Sequence, residues 1–169
     1  MSRTLASALL LLLVSALTVG CGGSERVEYE RDLAKVGKVV DDSLAELPQD
    51  DTTTVGPAEV SKLADDLREA AEQLADLDPP PGAGRPQARL ERGLRGIADA
   101  FDELAADLQG ATTDEAKADV FVEFYTDEKV DAAFDDVIGA QAAYAARGYR
   151  VFGRESAVET APAVTSKNE

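Results

Sequence analysis

Apolar residues return along this chain at intervals of three and four over three successive stretches. Tyr29, Leu33, Val36, Val40, Leu44 and Leu47 recur at spacings of 4, 3, 4, 4 and 3. Val60, Leu63, Leu67, Ala70, Leu74 and Leu77 follow at 3, 4, 3, 4 and 3, and Leu90, Leu94, Ile97, Phe101, Leu104 and Leu108 at 4, 3, 4, 3 and 4. Each run is the buried stripe of one amphipathic helix. Pro48 stops the first, Gln49 to Gly56 form a polar turn, and Pro57 suits the opening position of the second. The second ends at Asp78-Pro79-Pro80-Pro81-Gly82-Ala83-Gly84, a stiff connector with a glycine release. Pro86 opens the third helix and Gly110 caps it.

Beyond Gly110, Thr112 and Glu115 have capping-box spacing for a shorter helix carrying Val120, Phe121 and Phe124. A last helix holds Val130, Phe134, Val137 and Tyr144, with Gln141 on its apolar face. A break near Thr126 follows from length. One helix from 114 to 150 would run about 55 Å at about 1.5 Å per residue, against about 32 to 36 Å for the first three. The expected fold is all-α: an antiparallel up-down four-helix bundle with one short extra helix.

Composition removes most catalytic chemistry. Among 169 residues there is no His, no Trp, one Cys and one Met, and 33 acidic residues against 17 basic ones leave a net charge of −16. Without histidine there is no Ser-His or Cys-His nucleophile and no imidazole metal site. One cysteine excludes an internal disulfide. The acid excess argues against nucleic acid, whose phosphates need clustered Lys and Arg. No cofactor and no metal are expected, and no enzyme activity.

Arg3 supplies a positive start, and Leu5 to Val19 form an apolar run of 15 residues, shorter than the roughly 20 a spanning helix needs. The segment L-T-V-G-C that follows, Leu17 to Cys21, resembles the lipobox of bacterial lipoproteins. The resemblance implies cleavage between Gly20 and Cys21 by lipoprotein-processing enzymes. It also implies a diacylglyceryl thioether on Cys21, usually with a third, amide-linked acyl chain such as palmitate, and residence on the extracytoplasmic face of the cell membrane. Two chains suffice for stable anchoring. The expected organisation is a signal segment at 1–20, the acylated cysteine and a Gly22-Gly23-Ser24 tether at 21–24, the bundle at 25–153 and a disordered tail at 154–169. The L-A-D-L-D-P-P-P connector is similar to that of small helical lipoproteins of actinobacteria, a likeness that brings no activity with it.

Candidate sites are few. The neighbouring carboxylates Asp41-Asp42, Asp65-Asp66 and Asp135-Asp136 point about 100° apart on a helix and do not jointly grip an ion, and Asp50-Asp51 reads as a solvated turn whose alternative is weak calcium binding. Gln141 reads as a buried amide that specifies helix register, and Phe101, Phe121, Phe124, Tyr125, Phe134 and Tyr144 read as core. Arg85, Arg89, Arg92 and Arg95 start the third helix while Arg147, Arg150 and Arg154 close the last, which places them at the end that holds Cys21. Asp114 to Asp136 is acid-rich. A basic end facing anionic phospholipid and an acidic half facing away are therefore expected. The chain reads as a non-catalytic interaction or envelope-associated module with an unidentified protein partner. The alternatives are a small carrier holding an apolar molecule between helices, and a hydrolase using only carboxylates.

Overall fold

A computed structural model of the protein describes residues 22–46 and 55–150. The signal segment, Cys21, Leu47, Pro48 and the tail from Arg154 lie outside the described residues. Within them the fold is all-α, a helical bundle of α1 (Gly22–Ala45), α2 (Pro57–Ala75), α3 (Gly84–Gly110), α4 (Asp114–Thr126) and α5 (Glu128–Ala146). None of these helices is long and apolar enough to cross a membrane.

Local chemistry explains each boundary. Pro57 sits in the first turn of α2, and the Glu59 carboxylate reaches back to the Gly56 N–H at 3.1 Å. The α2–α3 connector turns at Pro80-Pro81-Gly82-Ala83, where the Ala83 N–H donates to the Pro80 carbonyl at 2.9 Å and Gly82 has φ +93°. Proline second and a left-handed glycine third is the residue order of a type II turn. At α4 the capping residue is Thr113, whose hydroxyl accepts from the Ala116 N–H at 3.1 Å, so the cap lies one residue beyond the expected Thr112. The break at Thr126 holds, because Asp127 closes α4 and caps α5 through Lys129 N–H. One boundary differs outright. Gly22-Gly23-Ser24, expected as a tether, form the first turn of α1, where Glu25 complements the positive helix start.

Ion pairs join neighbouring helices of the bundle. Lys62 of α2 bridges to Glu46 just beyond α1. Arg68 of α2 pairs with Asp99 and Asp102 of α3. Arg89 of α3 meets Asp136 of α5, while Lys129 at the start of α5 meets Glu103 further along α3. The core divides in two. The larger cluster gathers Tyr29, Leu33 and Val36 with Leu67, Leu74, Leu90, Leu94 and Tyr144. The smaller joins Val60, Leu104 and Leu108 to Phe124 and Val130. Two stripe residues depart from the expected core: Leu44 is 42% exposed and Phe134 40% exposed. Among the described residues the α1 backbone comes within 8 Å only of α2, and the α5 backbone only of α3 and α4. Leu44 and Phe134 sit on helices that do not close on each other along their length.

Close approach of α3 and α5 depends on absent side chains. A methyl added at Gly93 would stand 2.7 Å from Val137 Cγ2 and 2.9 Å from the Val137 backbone nitrogen, and one at Gly96 would stand 2.9 Å from Ala133 Cβ. Alanine gains about 1 kcal/mol over glycine inside a helix, whereas overpacking against backbone costs about 1 to 3 kcal/mol. Gly93→Ala, whose added methyl meets backbone as well as side chain, is therefore expected to destabilise the protein by up to about 2 kcal/mol in denaturant unfolding. Gly110→Ala, with nothing within 4 Å of the added methyl, should be neutral or stabilising. Equal effects of the two would refute the tight α3–α5 seam.

Candidate functional site

The end of the bundle where α1 begins, α2 turns into α3, and α5 finishes is built around three buried polar side chains, Gln87, Tyr29 and Tyr144. Gln87 stands in the first turns of α3 and is 6% exposed. Its amide nitrogen donates to the carbonyls of Leu74 at 2.8 Å and Leu77 at 3.0 Å, at the end of α2, where helix carbonyls lack the usual bond from four residues on. Carbonyls only accept, so the amide oxygen must face the other way, toward the Tyr29 hydroxyl, which donates to it at 2.9 Å. The single Tyr29 proton is then used. Tyr144 must donate to Tyr29 across their 2.6 Å separation. The chain of donation runs from Tyr144 to Tyr29 to Gln87 to the α2 terminus, linking α5, α1, α3 and α2.

A second contact closes the same end. Gly148, at φ +74°, donates to the Ala145 carbonyl at 2.9 Å, and Tyr149 donates to the Tyr144 carbonyl at 3.1 Å. These paired bonds form a Schellman motif with its accompanying side-chain contact, Tyr149 against Tyr144 at 5.9 Å between ring centroids. The motif turns Tyr149 onto Tyr29, also at 5.9 Å. Arg26 of α1 lies 4.7 Å over the Tyr149 ring, bonds to the Gly148 carbonyl and pairs with Glu30 at 3.0 Å. Burial, reinforced by donation to Tyr29, pushes the Tyr144 phenol well above its ordinary pKa. Burial also raises Tyr29, against the lowering effect of the hydrogen bond from Tyr144.

The arginines are not one basic end. Arg89 and Arg92 both bind Asp136, at 2.9 and 2.7 Å, and Arg95 pairs with Glu91 at 3.1 Å. Those guanidiniums hold Asp136 below the usual carboxylate range, and Asp136 in turn raises Arg92. Asp136 belongs to the stretch expected to form the acidic half, so the charge map is interleaved along α3 and α5. Arg147 donates to the Ala143 carbonyl at 2.8 Å and the Arg150 backbone N–H to Glu30 at 3.3 Å. Arg85 makes no salt bridge among the described residues. Cys21 lies outside them. Gln141, expected to be the register-setting amide, is half-buried; Gln87 has the buried amide position instead. Gln87 falls three residues before Leu90 in the α3 stripe, and that spacing was its signal. The aromatic side chains separate as well. Phe101 stacks on Phe124 at 5.2 Å beside the smaller core, and Tyr125, edge-on to Phe124 at 5.3 Å, is 64% exposed.

Losing the Gln87 amide leaves buried partners unsatisfied, at about 1 to 3 kcal/mol for each group. Gln87→Leu is expected to lower unfolding stability by at least about 2 kcal/mol, whereas Tyr144→Phe, which keeps Tyr29 bonded to Gln87, should cost only about 1 kcal/mol. The same unfolding series run from about pH 7 to about pH 11 has a definite sign. A phenol raised in the folded state stabilises it below the unfolded pKa near 10, and this stability is lost as pH climbs through the folded pKa. Wild type should lose up to about 1.4 kcal/mol per pH unit for each buried tyrosine above about pH 10, and Tyr144→Phe should lose less steeply. A neutral Gln87→Leu, or parallel alkaline limbs, would refute the network. Comparison of the chain with protein-family models, curated proteins and solved structures gives no match, and the functional reading rests on the chain's own chemistry.

Proposed function

We propose that this chain is a lipid-anchored module on the extracytoplasmic face of a bacterial cell membrane, acting without catalysis through protein contacts. Its four long helices form an antiparallel up-down bundle, joined at one end by the Tyr29–Tyr144 contact. The observation that carries the reading is the order of chemistry at the start of the chain: a short apolar run, then L-T-V-G-C, then a helix that begins at the next residue, Gly22. Lipoprotein-processing enzymes would cleave before Cys21 and acylate it. Because α1 starts at once, the tyrosine layer of the bundle sits about 12 Å along the helix from the lipid attachment, at about 1.5 Å of rise per residue. Arg85, Arg147 and Arg150 share that end and meet anionic phospholipid headgroups, each contributing on the order of 1 kcal/mol near such a surface. Arg89, Arg92 and Arg95 contribute less, since carboxylates already engage them.

Mass spectrometry of protein extracted from membranes should show a diacylglyceryl adduct on an N-terminal Cys21, and Cys21→Ala should give an uncleaved or released chain. A mature chain with a free Cys21 thiol would overturn the anchoring. For the headgroup contact, Arg85→Gln/Arg147→Gln/Arg150→Gln should weaken salt-sensitive binding to vesicles containing phosphatidylglycerol more than the matched triple change at Arg89, Arg92 and Arg95. Equal losses would remove the headgroup assignment.

A further inference from the structure

About 25 Å along α3 from Gln87, at about 1.5 Å per residue, the opposite end of the bundle carries a groove. A depression of about 100 Å³ lies between α3, α4 and the start of α5, with Leu104, Val120, Phe124 and Val130 in its lining. The walls above this apolar base hold Glu103, Asp107, Glu123 and Asp127. A second depression of about 230 Å³ adjoins it, sharing Ala100, Glu103 and Asp127 and adding Gly96, Asp99 and Lys129. The two hollows join through their shared residues: the first has buried apolar side chains between carboxylates of α3 and α4, and the second, with Gly96 and Ala100 in its lining, sets Lys129 among its carboxylates.

The rim already takes one ammonium. Lys129 reaches Glu103 at 3.8 Å, a long pair with both side chains more than 60% exposed, and such pairs are worth little. Asp107 and Glu123 have no cationic partner among the described residues. A short aliphatic stem fits the apolar base and a terminal cation fits the rim, which is how lysine side chains bury their methylenes while keeping the charge in a polar setting. The length of the groove and its several carboxylates favour a segment carrying more than one such side chain.

We propose that this groove docks a lysine-bearing basic segment of a partner protein, with a lysine stem over Val120 and Phe124 and its ammonium between Asp107 and Glu123. The inference deepens the reading of the chain as an interaction module and is independent of the anchor: a free Cys21 thiol would overturn the anchoring and leave this site intact.

The probe is the blocked peptide Ala-Lys-Ala-Ala-Lys-Ala, added to the isotope-labelled full chain in neutral detergent micelles and followed through the amide shifts of Val120, Glu123 and Phe124. Saturable, salt-sensitive shifts confined to the groove are expected, with none from the analogue carrying norleucine for lysine. Asp107→Asn/Glu123→Gln should raise Kd about tenfold, while Glu28→Gln/Glu72→Gln, an equal charge change at the far end, should leave it unchanged. Lys129→Gln, which frees Glu103, should lower it. Val120→Phe fills the groove with its carboxylates intact and should abolish the shifts. Unchanged binding by Val120→Phe, or equal losses in the two charge-matched pairs, would overturn the proposal, and the charge-matched comparison decides alone if Val120→Phe does not fold. Binding of 1,4-diaminobutane as tight as that of the peptide would also overturn it in favour of a small organic cation.

Discussion

The demand that every buried polar group find a partner governs this bundle. A core of Leu, Ala and Val is tolerant of sliding, because one methyl contact replaces another at little cost. The Tyr144–Tyr29–Gln87 chain is not tolerant. Each member has one place for its proton, and the last donor must reach two carbonyls at the end of α2. Shifting α1 or α5 by one residue would turn a hydroxyl away from its partner and leave a buried group unsatisfied. Four helices from distant parts of the sequence are thereby held in one register by three side chains, and among the described residues no buried side-chain polar atom lacks a partner.

Packing density complements that register. Ala70, Ala71 and Leu74 are fully buried on α2, as are Leu90 and Ala98 on α3, and Gly93 and Gly96 admit Ala133 and Val137 from the other side. Small residues let α3 lie close to two neighbours, so the longest helix becomes the spine on which α2, α4 and α5 are mounted. The bridges over these seams, such as Arg68 to Asp99 and Arg89 to Asp136, are partly or fully exposed and orient more than they stabilise.

Much of this was readable in the sequence because it is local. Three stripes of threes and fours named the long helices, and matched lengths placed the break at Thr126. What escaped was non-local. Tyr29 and Tyr144 stand 115 positions apart, and periodicity records that each faces inward without recording that their hydroxyls meet. Gln87 extends the α3 stripe by one step, yet an amide on an apolar face acquires meaning only from the carbonyls opposite it. Arginine spacing shows the basic residues along α3, while the carboxylate that pairs with two of them, Asp136, comes from α5. Leu44 and Phe134 obey the stripe and remain partly exposed, since a stripe states which way a residue points and not how deeply it is covered.

The position of Tyr29 at the end of the second turn of α1 has a mechanical side. A pull on the start of α1, such as residue 21 fixed in a bilayer would exert, loads Arg26 and Tyr29 before it reaches Leu33 or Val36. These leading residues are the ones tied to α5 and α3. Tension therefore enters the bundle at its most cross-linked layer and is shared at once among several helices. The rest of α1, whose backbone runs close to α2 alone, is shielded from peeling for as long as that layer holds.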